Sequence, residues 1–126
     1  MRRLWISLAL LVLIFAATVG NSLYLKHLTG TITDLLEEAQ TLAQQEGWEE
    51  ADALTREALK HWQDRELYLY TTLRHADTDE VYTSFREVEG FLRTREPQEY
   101  AASNARLIAR LELVASMEQF NLQNLL

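Results

Sequence analysis

The hydrophobic positions of this chain change their period once. From Leu4 to Val19 the residues are apolar with no charged interruption, and Leu23, Tyr24 and Leu25 extend the run past Asn21-Ser22. From Ile32 onward apolar residues recur instead at spacings of three and four, the period of helices with one buried face. A helix rises about 1.5 Å per residue, so Leu4 to Leu25 spans roughly 30 Å, the thickness of a bilayer's hydrocarbon core. Arg2 and Arg3 precede the run, and the positive-inside rule keeps them cytoplasmic and sends everything after Lys26 outward. A cleaved signal peptide is the rival reading, with a basic start, an apolar core, and Thr18 and Gly20 as small residues before a cut after Gly20. The length of the run, the lack of a clean Ala-x-Ala and Tyr24 at an interfacial belt position favour an uncleaved single-pass anchor over residues 1–25. Either way, the remainder lies outside the cytoplasm.

Beyond the anchor, residues 26–30 form a polar joint, in which Gly30 either bends the chain or sits in a continuous helix. Ile32, Leu35, Leu36, Ala39, Leu42 and Ala43 then predict one apolar helix face, which Gly47 is expected to end at the C′ position. A second helix is predicted from about Glu49 to Gln63. Trp48, Ala51, Thr55, Ala58 and Trp62 share one face, both indoles being core anchors. The third helical region runs from Leu67 to about Arg95, with Val81, Phe85, Val88 and Leu92 inward. Asp77-Thr78-Asp79-Glu80 reads as a helix start, which allows a break near Ala76 or one bent helix. Pro97 opens the last helix, whose expected inward stripe is Ala101, Ala105, Ile108, Leu111, Ala115, Leu122 and Leu125. The expected fold class is all-α: an N-terminal membrane helix, then an antiparallel bundle of about four helices over residues 31–126.

Composition narrows the chemistry. The 126 residues include no cysteine, four glycines and one proline, so the exported part must hold itself together by helix packing alone. Thiol catalysis, disulfide exchange and cysteine-ligated zinc are excluded. Arg2 and Arg3 are the only charges before Lys26. The 12 basic residues therefore leave 10 beyond Leu25, against all 19 acidic ones, a net charge of −9. That sign argues against nucleic acid as a partner, and against docking on anionic headgroups other than through the anchor.

The candidate chemistry is sparse. On a continuous helix Tyr68, Thr72, His75, Asp79 and Tyr82 share a stripe, and Asp79 one turn after His75 can accept its ring proton. The pair reads either as a proton-responsive or metal site or as a structural hydrogen bond that fixes the bend. Glu118 interrupts the last apolar stripe; it needs a partner across the bundle, such as His75 or Arg74, or sits at the stripe's edge. His27, His61 and His75 stand far apart without metal-ligand spacing, and no glycine-rich phosphate loop or EF-hand is present. No catalytic, cofactor-binding or metal-binding residue is assigned and no cofactor is expected. The expected function is a non-enzymatic interaction or scaffolding module held in the membrane by residues 4–25. Its partner is another protein or a second copy of the chain, and not nucleic acid. The alternative is a sensor or ligand-binding module using the His75-Asp79 stripe.

Two resemblances add to this reading. Gly47-Trp48-Glu49-Glu50-Ala51 and Ala58-Leu59 resemble the second half of a tetratricopeptide repeat, but no further copy and no terminator proline follow. That likeness implies a helical hairpin, not a solenoid. Over its whole length the chain resembles the domain of unknown function 4363 family. The resemblance rests on the Met-Arg-Arg start, Trp48 and Trp62 one helix apart, Leu73-Arg74-His75-Ala76-Asp77-Thr78-Asp79, and the ending Met117 to Leu126. It implies a membrane-anchored protein of Gram-positive, largely anaerobic bacteria, and it implies no activity.

Overall fold

The computed structural model describes residues 1–65 and 75–125, with side chains for 1–65 and 78–117. The fold is all-α. The described residues contain four helices, α1 (Arg2–Gln44), α2 (Trp48–Asp64), α3 (His75–Thr94) and α4 (Pro97–Leu125), and no strand. Each helix packs on two others: α1 on α2 and α4, α3 on α2 and α4. The result is a closed four-helix ring in which every apolar stripe meets two neighbours.

Two tight hairpin turns build this arrangement. After α1, the Glu46 N–H donates to the Ala43 carbonyl (3.0 Å) and the Gly47 N–H to the Leu42 carbonyl (2.8 Å), the paired bonds of a Schellman motif. The left-handed residue is Glu46, at φ 65°; Gly47 follows it with φ −82°. The sequence expectation therefore misplaced the stop by one residue. Glycine eases the fit at 47: a Cβ there would stand 3.1 Å from the Leu42 carbonyl oxygen, a tight contact. The α3–α4 turn repeats the geometry. Arg95 takes φ 54°, and the Glu96 N–H donates to the Phe91 carbonyl at 3.1 Å.

The correspondence extends through both hairpins. Buried residues match at a constant offset of 49, from 46 to 95 at the turns. On the first helix of each hairpin the pairs are Thr29 with Thr78, Ile32 with Val81, Leu36 with Phe85, Ala39 with Val88 and Ala43 with Leu92. On the second they are Ala51 with Tyr100, Thr55 with Asn104, Ala58 with Leu107 and Trp62 with Leu111. The second hairpin copies the burial pattern of the first and almost none of its residues. Ala39, Ala43, Ala51 and Ala58 keep the first hairpin narrow; Val88, Leu92, Tyr100 and Leu107 fill the space this leaves.

Of the two readings of Gly30, the continuous helix holds: α1 runs unbroken through Thr29-Gly30-Thr31, Thr29 is buried, and packing begins at Ser22. The Thr29 hydroxyl turns back on the Leu25 carbonyl (3.0 Å), which lets a polar residue sit inside the helix. Asp77 to Glu80 are helical residues of α3, and the segment before His75, on which a break or a bend depends, lies outside the described residues. On α4 the inward face is Tyr100, Ser103, Asn104, Leu107, Leu111 and Val114, while Ala105 is exposed and Ala101, Ile108 and Ala115 are half-buried. One residue is about 100° of helix rotation, so a stripe read from alanines was turned away from the face that the larger side chains set. Trp62 is buried as expected, whereas Trp48 is only half-buried.

Candidate functional site

The most distinctive surface of the molecule is the first part of α1. Residues 1–17 are all exposed, including Leu4, Trp5, Ile6, Leu11, Leu13 and Ile14. Thr18, Val19 and Asn21 are half-buried, and Ser22, Leu25 and Leu28 are buried, so the helix passes from bare apolar rod to bundle wall without a break. Its hydroxyls are bonded internally, while the buried Asn21 Oδ1, where the rod meets the bundle, has no partner among the described residues. The Ser7 hydroxyl donates to the Arg3 carbonyl and that of Thr18 to the Ile14 carbonyl, each at 2.9 Å. An apolar segment with every backbone group in a helix and its hydroxyls bonded back to that helix suits a medium without water. Where the rod enters the bundle, the Arg65 guanidinium at the end of α2 donates to the Tyr24 hydroxyl.

A second feature lies inside the bundle. Asn104 on α4 is fully buried and donates from Nδ2 to the Leu36 carbonyl (3.1 Å) and the Gln40 side-chain oxygen (3.0 Å), stitching α4 to α1. Among the described residues, its Oδ1 and the buried Tyr100 hydroxyl one turn earlier have no hydrogen-bond partner. Burial pushes the Tyr100 pKa up to about 12; the neighbouring Thr55 hydroxyl, already donated to the Ala51 carbonyl at 2.9 Å, offsets this only in part. Beside Tyr100 is a cavity of about 40 Å³ lined by Gln40, Ala43, Gln44, Trp48, Pro97 and Ala101, large enough for a water molecule. Trp48 closes it edge-on, its ring 6.0 Å from that of Tyr100.

This buried phenol makes a testable prediction. A pKa raised in the folded state stabilises the fold fully below the unfolded value near 10, and that stability is lost as pH rises through the folded value of about 12. Tyr100→Phe removes both the titration and an unpaired polar atom. At pH 7 the variant should be equally stable or about 1 kcal/mol more so. In denaturant titrations between pH 9 and 12, the native chain should lose about 2–3 kcal/mol that the variant keeps. Parallel decline of the two would refute this assignment.

A third feature is a cleft of about 160 Å³ at the far tip, between the start of α2 and the end of α3. Trp48 and Leu92 line it with Glu49, Asp52, Arg56, Arg93 and Arg95. Asp52 and Arg56 form an ion pair at 2.8 Å. The cleft's mixed charge gives it no marked preference for one sign.

Of the residues singled out in the sequence, Asp79 is exposed on α3, while the side chains of His75 and Glu118 lie outside the described residues. Among the described residues no three His, Asp or Glu side chains cluster as metal ligands do. Glu89, buried on α3, is satisfied by Arg86 one turn earlier at 3.2 Å, and Tyr82 covers that guanidinium. Sequence reasoning missed Tyr100 and Asn104. The available signal was a tyrosine and an asparagine at i and i+4, in register with Leu107, Leu111 and Val114.

No curated protein and no solved structure matches this chain. A family model does match, over residues 19–125, nearly all of the packed bundle and little of the exposed rod. The chain belongs to the family called DUF4363, a domain of unknown function.

Proposed function

We propose that this protein is a single-pass membrane protein whose helical bundle stands outside the cytoplasm as a non-enzymatic interaction module. One observation carries the reading: α1 is a single helix whose first third is bare and apolar and whose remainder is the wall of the bundle. In water, that much exposed apolar surface on one helix is unfavourable at about 25 cal/mol per Å²; in lipid it is the expected solvent. Arg2 and Arg3 orient the helix with its start inside. Because no hinge separates rod from bundle, the bundle is carried at a fixed height and tilt, which suits presentation of a surface to a protein partner. The tip cleft around Trp48, farthest along α1 from the bare rod, is where such a partner would engage.

The test is topology. A tag fused after Leu126 should be degraded by protease added to intact protoplasts, and the chain should sediment with membranes and resist extraction by carbonate. The mass of the extracted protein should include residues 1–20. A full-length protein recovered in the soluble cytoplasm would defeat the proposal; a membrane-free product lacking residues 1–20 would convert the anchor into a signal peptide.

A further inference from the structure

We infer that the C-terminal end of α4 is a second membrane-contacting element, immersed in the outer-leaflet interface beside the anchor. The inference rests on the anchor reading of α1, which supplies the depth scale.

The first observation is the register of α4 on α1. Pro97, Tyr100 and Ala101 adjoin Gln40, Ala43 and Gln44; Asn104 bonds to Leu36 and Gln40; Glu112, Ala115 and Ser116 adjoin Lys26, Thr29, Gly30 and Thr33. The helices are antiparallel, and each step up α4 is a step down α1 toward the bilayer. Ser116 is already level with the lower part of that set, and α4 continues as helix to Leu125. Nine more residues at about 1.5 Å each carry its axis roughly 13 Å further, past Lys26 and into the level of the apolar run.

The second observation is where apolar surface is left bare. Beyond Tyr24, the large hydrophobic side chains exposed among the described residues are Leu113, at 58%, and Met117, at 38%. They are one turn apart on α4, on the end that approaches the membrane. An exposed pair of this kind anywhere else on the bundle would call for a protein partner, but here its position along α1 names the lipid.

The third observation is chemical. After Glu118 the chain reads Gln-Phe-Asn-Leu-Gln-Asn-Leu-Leu, with no charged side chain in its last eight residues. In a chain with 19 acidic residues, positions 119–126 are thus a neutral stretch of apolar and amide residues, the composition an interface tolerates. Recognition is therefore of the headgroup–acyl boundary itself, not of a particular lipid charge. A bundle held to the bilayer by both α1 and the end of α4 cannot swivel about one rod.

The native chain lacks cysteine, so single cysteines can be labelled in the full-length protein without background. Leu113→Cys, Met117→Cys and Leu122→Cys, each carrying an environment-sensitive fluorophore, are reconstituted into phosphatidylcholine vesicles with or without brominated acyl chains. Val12→Cys marks the anchor; Ala53→Cys and Ala102→Cys, both exposed toward the tip, mark water. Labels at 117 and 122 should lose about half their fluorescence to shallow bromines, as for probes about 5–10 Å into the interface. The label at 113 should lose less, those at 53 and 102 none, and the one at 12 should respond to deep bromines. Labels at 117 and 122 as insensitive as that at 102, with 12 quenched, would overturn the inference and leave the anchor intact. Concentration-dependent blue shifts at 113 and 117 without bromine quenching would also overturn it, in favour of a second copy on this face. No quenching at 12 would remove the anchor reading, and this one with it.

Discussion

Trp62→Ala is expected to destabilise the bundle by about 3–5 kcal/mol, the range for truncating a buried large aromatic side chain. Trp62 is 2% exposed and is the largest of the fully buried side chains among the described residues, sitting near the C-terminal end of α2. Its surroundings are set by helices whose backbones cannot collapse into the space, because α1 on one side is a single rigid rod. Trp48→Ala should cost less, about 1–2 kcal/mol, because that indole is half-buried and its lost contact is chiefly the edge of Tyr100. Chemical denaturation of the two variants by circular dichroism separates them. Equal losses would mean that Trp48 is as central as the sequence spacing suggests, and that the tip is tighter than its exposure indicates.

Asn104→Asp should be comparably damaging at neutral pH and nearly harmless in acid. The side chain is fully buried, and the two atoms its amide nitrogen reaches, the Leu36 carbonyl oxygen and Gln40 Oε1, are both acceptors. A carboxylate facing two acceptors is a buried charge without a partner, for which a loss of about 3–5 kcal/mol is the usual scale. Rotation of the Gln40 amide supplies one donor, too little to replace hydration. The protonated acid can donate one hydrogen bond and restores part of the stitch. The folded-state pKa of the new group is therefore raised above its unfolded value near 4. Its penalty is absent below pH 4 and grows as pH rises through the folded value. Denaturation of the native and variant chains at pH 3.5 and 7 should show the difference opening with pH. A gap of the same size at both would assign the loss to shape rather than charge.

Much of this architecture can be read from the periodicity of the chain. Ile32, Leu36, Ala39 and Ala43 announce one helix face, and Val81, Phe85, Val88 and Leu92 another, because in each case apolar residues at spacings of three and four make up most of the stripe. Alpha-4 resisted the same treatment. Its alanines fall on several faces, so the apolar pattern has more than one solution; burial of Tyr100, Ser103 and Asn104 selects the true one, and polar residues are what pattern-reading discounts. The likeness between the hairpins was equally hidden. Small residues in one half answer large ones in the other, so the match is one of burial and turn geometry, not of residue type.

What the sequence determined by itself is local: a charge-free apolar run long enough to cross a bilayer, helical periodicity beyond it, short turns before Trp48 and Pro97, and a core without disulfides. These follow from each residue's own preference for water or lipid and for helical dihedrals, which neighbours in sequence suffice to express. Tertiary structure alone decided that α1 passes through Gly30 without bending, that Glu46 and Arg95 take the left-handed turns, and that Asn104 is spent on α1. It also set α4 antiparallel to α1, so that Glu112, Ala115 and Ser116 lie beside Lys26, Thr29 and Thr33. Each depends on which helix packs beside which, and at what register. A partner's shape sets that choice, and a residue's own chemistry cannot specify it.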